Sequence, residues 1–235
     1  MADRRIVLLG KAEAKKHRLV RILLGDTKHN EECEECTVYE GQQAGRKVCI
    51  VDTPGWDRIS TECTSPKIKN EITRSVTLCA PGPHALILVF PLKPGDVPSA
   101  NELESAYQHM ELLSETVWNY TMVLFLCDGD VEESTIKDHI QNAEKLLQKC
   151  RGRHYVVRRR SFETELSEFL KEIDSMVDEN IRDSKVKESG GFFLPEVHYD
   201  TMQRKMPQKQ KGEDKSDEKY GIWQRRESYQ LINPT

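Results

Sequence analysis

The sequence lacks the features that would direct it to a membrane, a secretory route or a nucleic acid. No run approaches the roughly 18 apolar residues of a transmembrane helix. The first residues, Met1-Ala2-Asp3-Arg4-Arg5, carry no signal-peptide core. A formal net charge of −4 over 235 residues supplies no basic field for a polyanion. These absences predict a cytoplasmic protein with no transmembrane segment and no nucleic acid partner.

Paired cysteines are also missing. The chain has seven cysteines, an odd number, and most stand singly in apolar runs or loops, as in a reducing compartment. Cys33-Glu34-Glu35-Cys36 is the exception, but no second Cys-x-x-Cys and no paired histidines complete a zinc site. The two intervening glutamates also oppose a lowered thiol pKa. We expect incidental cysteines, with a metal or redox role for Cys33 and Cys36 as a third alternative.

Short apolar runs alternate with helical patterns, which predicts a mostly parallel central sheet with helices on both faces. This arrangement is a three-layer α/β fold. Ser134 is the predicted N-cap of one helix. The predicted strands are Ile6–Leu9, Val48–Val51, Ala85–Phe90, Met122–Leu126 and His154–Val157, and the predicted helices are Ala14–Leu24, Asn101–Val117, Thr135–Lys149 and Thr164–Ile181.

A domain boundary is predicted near Ser184. Lys205–Lys219 has almost no apolar residue, so residues 184–235 are expected to form a polar, largely disordered tail behind a domain of residues 4–183. Two apolar islands interrupt this tail, Phe192-Phe193-Leu194 with Val197 and a later one around Trp223. The sequence leaves open whether they dock on the domain or bind a partner.

The most informative motif is Asp52-Thr53-Pro54-Gly55-Trp56, directly after the predicted strand Val48–Val51. Asp-x-x-Gly at this place is where P-loop GTPases sense the γ-phosphate. The acid, here Asp52, holds Mg²⁺ through water, and the amide of Gly55 approaches a phosphate oxygen because no Cβ intervenes. The motif therefore predicts a P-loop GTPase-like fold.

The phosphate loop expected upstream, G-x-x-x-x-G-K-[ST], is degenerate. The chain has Gly10-Lys11-Ala12-Glu13-Ala14-Lys15-Lys16-His17 at that place. Gly10 opens the loop and Lys16 stands at the phosphate-binding lysine. Lys15 replaces the second glycine, and His17 replaces the hydroxyl that completes the Mg²⁺ shell, although Mg²⁺ prefers oxygen ligands. Lys11 and its basic neighbours at a helix start can still attract an anion, or they can form a solvated helix start.

The base-reading element also keeps only part of its motif. Cys127-Asp128-Gly129-Asp130 follows the predicted strand Met122–Leu126, where guanine is usually read by N-K-x-D. Asp130 stands at the aspartate, but no Asn-Lys precedes it, and an Asx turn explains the same residues. Trp56 follows Gly55, so no glutamine orients an attacking water there. No catalytic residue is predicted.

One further segment links the chain to a known family. The stretch Arg74–Leu86, Arg-Ser-Val-Thr-Leu-Cys-Ala-Pro-Gly-Pro-His-Ala-Leu, resembles the box peculiar to GTPases of the immunity-associated protein (GIMAP) family; we call it the box. Supporting similarity lies in Ala44–Arg46, in Glu111–Leu113 with Val117-Trp118, and in Val123–Phe125. The similarity covers about residues 4–183. Length and pattern most resemble the fish members.

The resemblance implies a G domain that binds GDP and GTP and dimerises with itself or other GIMAP-type G domains through its nucleotide face. It assigns phosphate binding to Lys16, γ-phosphate contact to Gly55, base reading to Asp130 and the Mg²⁺-side acid to Asp52. The departures from the family pattern fall in the same site. They are Lys15, His17, Cys33 at the switch threonine, and Arg158-Arg159-Arg160 where similar proteins place a base-contacting asparagine.

Two functions follow. The first is a pseudo-GTPase, an assembly module with weak or absent binding of GTP and GDP and with Mg²⁺ ligands lost. The second is a competent GTP-binding switch or slow GTPase that acts by nucleotide-dependent dimerisation. The first function is favoured by the departures from the motifs, which are Lys15, His17, Cys33 and Arg158–Arg160. The second is favoured by the motif residues that remain, which are Gly10, Lys16, Asp52, Gly55 and Asp130.

Overall fold

Strands and helices alternate along the chain of this computed structural model, which describes residues 4–25, 34–43, 45–97, 99–158, 162–183 and 191–194. A 3₁₀ turn, Glu115–Tyr120, precedes the fifth strand. The strands are β1 Arg4–Leu9, β2 Thr37–Gln43, β3 Arg46–Asp52, β4 Ala85–Leu92, β5 Thr121–Cys127 and β6 His154–Val157, and the helices are α1 Lys16–Leu24, α2 Pro66–Ser75, α3 Ala100–Glu111, α4 Glu133–Asn142, α5 Glu144–Lys149 and α6 Phe162–Arg182.

Within the described residues the strands form one sheet in the order β2-β3-β1-β4-β5-β6. All neighbouring pairs are parallel except β2 and β3, which pair antiparallel at one edge. Strands β4 and β5 are buried along nearly their whole length. Because helices cover both faces, these strands read as continuous apolar runs. The predicted mostly parallel three-layer fold is confirmed.

The two faces of the sheet carry separate cores. Along β1, Ile6 and Leu8 pack with side chains of α1 and α6. Val7 and Leu9 point to the other face, where α2 to α5 lie. This alternation follows from the two-residue period of a strand. Among the helices whose side chains are described, none is both long and apolar enough to cross a membrane.

The structure adds two elements to those predicted. Strand β2 was missed because Gly41, Gln42 and Gln43 give an edge strand little apolar alternation. Helix α2 was also missed, although Pro66 at its first turn and the Ser65 hydroxyl, which accepts a hydrogen bond from Ile68 N–H, are start signals that a sequence can show.

Two predicted helices are shorter than expected. The helix predicted for Asn101–Val117 ends at Glu111, and Ser114 then takes a φ of 147°. The helix predicted for Thr135–Lys149 divides at Ala143 into α4 and α5. The N-cap prediction for Ser134 is wrong, because the cap residue is Glu132 and makes no side-chain cap hydrogen bond.

The predicted tail lies largely outside the described residues, as do Trp223 and Val197. Gly191–Leu194 is described and lies against the domain, with Phe193 fully buried. We call these residues the aromatic segment. The described part of the first apolar island, Phe192–Leu194, therefore docks on the domain. Cysteines 36, 49, 63, 79, 127 and 150 are free thiols.

Candidate nucleotide site

Three loops meet at the carboxyl-terminal edge of the sheet. The loop Gly10–His17 joins β1 to α1, Asp52–Trp56 follows β3, and Cys127–Asp130 follows β5. Because β3, β1, β4 and β5 are neighbours in the sheet, the three loops lie side by side. Ligands of open α/β sheets bind in crevices at this edge. The structure thus brings the predicted site segments together.

The backbone of the loop takes left-handed turns at two positions that carry side chains. Lys15 has φ 58° and ψ 33°, and Glu13 has φ 63°. Both are left-handed conformations in which a Cβ costs about 1–2 kcal/mol. The strain expected at Lys15 is therefore present, and Glu13 adds a second strained position. Helix α1 begins directly after Lys15, whose side chain makes no capping hydrogen bond to the helix.

The side chain of Lys15 crosses the loop to the base-reading element. Its ammonium lies 2.5 Å from Asp128 Oδ2. Arg18 joins the same cluster, with Nη1 donating to the Cys127 carbonyl at 3.2 Å and lying 3.6 Å from Asp128 Oδ1. The hydrogen bond from Lys15 holds the pKa of Asp128 below its usual value. Asp128 stands where N-K-x-D places a lysine, so the usual charge is reversed.

Two other lysines of the loop differ in their surroundings. Lys11 points away from the cradle and forms an ion pair of 2.6 Å with Glu102 on α3. Lys16 is only 4% exposed. Within the described part of the chain, its ammonium makes no hydrogen bond or ion pair. The side chain is almost wholly covered and lies at the start of α1, so Lys16 is the loop cation whose surroundings best suit a phosphate.

The Asp-x-x-Gly segment packs directly on the loop backbone. Ala12 N–H donates to the Trp56 carbonyl at 2.8 Å, and Trp56 N–H donates to the Gly10 carbonyl at 3.3 Å. A Cβ on Gly55 would lie 2.6 Å from Ala12 N, closer than real Cβ atoms come. One loop amide is thereby committed to a protein carbonyl, and Gly55 is required for contact with the loop itself.

The residue after Gly55 is fixed in the core. The Trp56 ring is 1% exposed and stacks on the His109 imidazole, with centroids 4.8 Å apart and planes 7° from parallel. His109 Nδ1 donates to the Ser105 carbonyl at 2.7 Å, and its Nε2 faces the Thr64 hydroxyl at 2.8 Å. Burial lowers the pKa of His109. A neutral imidazole on α3 therefore stacks on the Trp56 ring within the core.

The residues at the Mg²⁺ position fit that ion poorly. Asp52 supplies a carboxylate at the end of β3, but His17 offers imidazole nitrogen where a hydroxyl oxygen belongs. Among the described residues, no cluster of three His, Cys, Asp or Glu side chains could hold a metal ion. Cys33, the second expected defect, lies outside the described residues. Of the two described positions, Asp52 keeps an oxygen donor suited to Mg²⁺ and His17 does not.

The remaining predicted residues lie at the rim. Asp130 is exposed and follows Gly129, whose φ is 111°. Arg158 Nη2 forms a 2.8 Å ion pair with Glu133 at the start of α4, whereas Arg159 and Arg160 lie outside the described residues.

Burial raises the pKa of the Cys36 thiol, and its Sγ lies 3.2 Å from the Glu71 carbonyl. A reactive thiolate is disfavoured there.

The sequence interpretation missed the partner of Lys15 and the ring under Trp56. The first had no readable signal, because charges of both signs stand at many other positions and the sequence does not show which of them meet. The second had none, since His109 is one polar residue on an amphipathic helix. A cavity of about 200 Å³ also lies beside the loop, lined by Lys11 and Glu13 and by the ends of β4 and α3. Lys15, Lys16 and Asp128 do not line it.

Known proteins share this fold. Structures of Toc33 from Arabidopsis thaliana, one of them in complex with GDP and Mg²⁺, match with a TM-score of 0.58 at 15% identity and cover 75% of this chain and 84% of theirs. A structure of chloroplast translocon components, atToc33 and psToc159, whose dimerisation is important for GTPase activity, matches with a TM-score of 0.53 at 16% identity over 75% of this chain and 83% of that one. Identities this low show the fold alone.

Sequence relatives are more specific. GTPase IMAP family member 8 of Mus musculus is 28% identical over 163 residues, which is 63% of this chain and 23% of that protein. The Rattus norvegicus protein of the same name is 27% identical over 164 residues, with the same coverage. The chain thus spans about a quarter of these curated relatives. Residues 4–209 match the AIG1 family. In agreement with the resemblance drawn from the box, the chain belongs to the AIG1 family of GIMAP-type G domains.

Proposed function

We propose that this chain is a pseudo-GTPase of the GIMAP type, a G domain that assembles with itself or other GIMAP-type G domains while binding GTP and GDP weakly or not at all. The proposed place of action is the cytosol. Assembly is proposed to use the carboxyl-terminal edge of the sheet, which is the nucleotide face in the family.

The observation that carries the proposal is the ion pair of Lys15 and Asp128. In a working loop the second glycine leaves room for backbone amides to surround phosphate. Here that position carries a long side chain that ends 2.5 Å from Asp128. The two side chains are 37% and 28% exposed, so the pair contributes no more than about 1 kcal/mol. The pair matters because the Lys15 side chain occupies the position that glycine leaves open for phosphate. It also holds the Asp128 carboxylate beside the loop.

The commitment of backbone groups supports the same conclusion. Ala12 N–H already has the Trp56 carbonyl as acceptor, and Gly55 touches Ala12 rather than leaving a gap. A γ-phosphate would have to separate these segments and break this pairing. Hydrolysis would also need a residue to orient water, and the Trp56 ring is held against His109 instead.

A competent GTP switch is the second candidate, and Lys16 favours it. This buried lysine lies at the start of α1, where the helix dipole attracts anions. The loop also keeps the left-handed turn at position 15 that such loops use. On this alternative, nucleotide binding displaces Lys15 from Asp128 and then drives dimerisation.

Titration of the purified chain with fluorescent GTP and GDP, with and without Mg²⁺, separates the two candidates. The pseudo-GTPase predicts no saturation up to millimolar nucleotide. A Mg²⁺-dependent Kd of about 1 µM, equivalent to roughly −8 kcal/mol, would overturn it. Light scattering with and without nucleotide tests assembly, and the proposal expects the same oligomeric state in both samples.

Restoration of the loop locates the defect. The Lys15→Gly and His17→Ser double variant should gain nucleotide binding if the loop alone is at fault. Lys15→Gln is the matched control, since it removes the charge but keeps a Cβ at φ 58°. If the double variant stays inactive and adding Asp128→Lys restores binding, the reversed charge is responsible. If neither binds, the defect lies in base recognition at Arg158–Arg160.

A further inference from the structure

The aromatic segment docks on the box through one buried anchor. Phe193 is fully buried, and its ring meets Tyr120 edge-on with centroids 5.6 Å apart. Its backbone N–H donates to the Pro83 carbonyl at 2.8 Å. The ring belongs to the core that α2 to α5 cover. A residue far from the box in sequence thus completes the packing around it.

Gly82 makes this approach possible. A Cβ on Gly82 would overlap the Phe193 carbonyl oxygen and lie 3.1 Å from Cδ2 of Phe192. The requirement for glycine here is close backbone contact, because Gly82 is not among the glycines with positive φ. The Pro-Gly-Pro stretch of the box therefore offers a slot with a carbonyl acceptor and no side chain in its centre.

A polar cluster forms the wall of the slot. Arg5 Nε donates to the Gly82 carbonyl at 2.5 Å, and Arg5 Nη2 lies 3.1 Å from His84 Nε2. The guanidinium carbon of Arg5 lies 5.4 Å from the centre of the Phe192 ring, within cation–π range. The His84 ring meets Phe192 edge-on, with centroids 6.4 Å apart. The Phe193 ring thus has an aromatic partner, and the Phe192 ring has a cation and an imidazole as partners.

A second glycine directs the segment to the slot. Gly191 has φ 82°, and a Cβ on it would lie 2.5 Å from Cγ1 of Ile181 on α6. The slot is at the amino-terminal edge of the sheet, where Arg5 is the second residue of β1 and His84 precedes β4. The phosphate loop is at the opposite edge, so this contact is independent of the nucleotide site and of the proposed function.

From these contacts we infer that the box is a binding site for a Gly-Phe-Phe-Leu segment and that its occupant is the chain's own aromatic segment, held in a docked and releasable state. The recognised features are an aromatic anchor for the pocket beside Tyr120, an N–H for the Pro83 carbonyl and a preceding aromatic ring for Arg5 and His84. A short segment with a single anchor opens at lower free energy than the strands beneath it. Release exposes the slot and frees the same motif.

Binding of a labelled peptide to the full chain tests this inference. The peptide Ser189–Glu196, Ser-Gly-Gly-Phe-Phe-Leu-Pro-Glu, carries a fluorophore and is measured by anisotropy. The Phe193→Ala chain, whose own anchor is removed, should bind the peptide. The wild-type chain should bind it at least tenfold more weakly, because the tethered segment competes at an effective concentration in the millimolar range.

Three controls decide between specific and non-specific binding. A peptide with Ala at the Phe193 position should not bind, and the Gly82→Val change in the Phe193→Ala chain should abolish binding by filling the slot. Phe192→Ala in the chain is the matched variant, since it removes the half-buried ring and should open the slot less. Equal binding of the peptide to the wild-type and variant chains, or to neither, would overturn the inference.

Hydrogen exchange of the wild-type chain keeps the test decisive if Phe193→Ala does not fold. The Phe193 amide should be protected yet exchange faster than the amides of β4. Exchange at the rate of global unfolding would contradict release. A wild-type dimer that dissociates on Phe193→Ala substitution would assign the slot to the segment of a second copy and overturn the intramolecular assignment.

Discussion

The two edges of the sheet differ in where glycine is present and where it is replaced. At the amino-terminal edge, Gly82 and Gly191 stand where a Cβ would collide with Phe193 and Ile181. At the carboxyl-terminal edge, Lys15 occupies a left-handed position that a phosphate loop gives to glycine, and Glu13 is left-handed as well. Gly55 remains at that edge, where it contacts the loop backbone. The chain therefore keeps glycine where it packs against itself and lacks it where a ligand would need it.

Gly55→Ala should break this pattern with the largest effect. The added methyl group would lie 2.6 Å from Ala12 N, and both segments end strands of the central sheet. We expect a loss of about 3 kcal/mol or more of unfolding free energy. Chemical denaturation followed by circular dichroism measures it. A loss under about 1 kcal/mol would mean that the two loops separate easily, and would weaken the case for a closed cradle.

Gly82→Ala should have a smaller effect, because its clash is with a segment that can leave. The loss is limited to what docking contributes, roughly 2 kcal/mol from one buried phenyl ring and one hydrogen bond. Denaturation of the single variants and of the double variant with Phe193→Ala measures the coupling. Once Phe193 is removed, Gly82→Ala should cost little; a fully additive loss would show that Gly82 contacts something else.

His109→Gln tests the clamp on Trp56. Loss of the stacked ring should cost about 1 kcal/mol at pH 7. Because burial lowers the pKa of His109, the unfolded chain takes up the proton first as pH falls below about 6.5. Wild-type stability should then fall towards acid pH, with that loss complete below the folded-state pKa. The variant should show a shallower fall between pH 7 and 5; equal slopes would refute a neutral His109.

Lys15→Gly should have the smallest effect on stability. Removing the Cβ from a left-handed residue stabilises the folded chain by about 1 kcal/mol, once the greater freedom of glycine in the unfolded chain is subtracted. The loss of a partly exposed ion pair opposes this gain. The net change should lie within about 1 kcal/mol. Lys15→Gln loses the pair and keeps the strain, so it should be less stable than Lys15→Gly by about 1 kcal/mol. The reverse order would show that the left-handed Cβ at position 15 costs less than the added freedom of glycine in the unfolded chain.

The sequence predicted the fold because periodicity reports burial. Strands β4 and β5, buried on both faces, read as unbroken apolar runs, and amphipathic stripes located α1, α3 and α6. Strand β2 was not predicted, because an exposed edge strand needs no such apolar run. The break at Ala143 escaped because apolar spacing continues across it.

The site was predictable in its parts and not in its pairing. Motif spacing placed Gly10, Lys16, Asp52, Gly55 and Asp130 at one edge of the sheet, as the structure has them. Spacing cannot show that Lys15 reaches Asp128 or that Lys11 reaches Glu102, because these pairs join distant segments. The docking of Phe193 depends equally on a contact between the box and residues beyond α6.

The reversed charges at positions 15 and 128 also constrain how the chain could change. Lys15→Gly alone would leave the Asp128 carboxylate beside the loop, where it would repel phosphate. Asp128→Lys alone would place a second ammonium against Lys15 and Arg18. Either first step has a cost that only the second step removes. If the chain is the pseudo-GTPase proposed above, a gain of nucleotide binding would therefore pass through a less favourable intermediate, and the loop would resist change one substitution at a time.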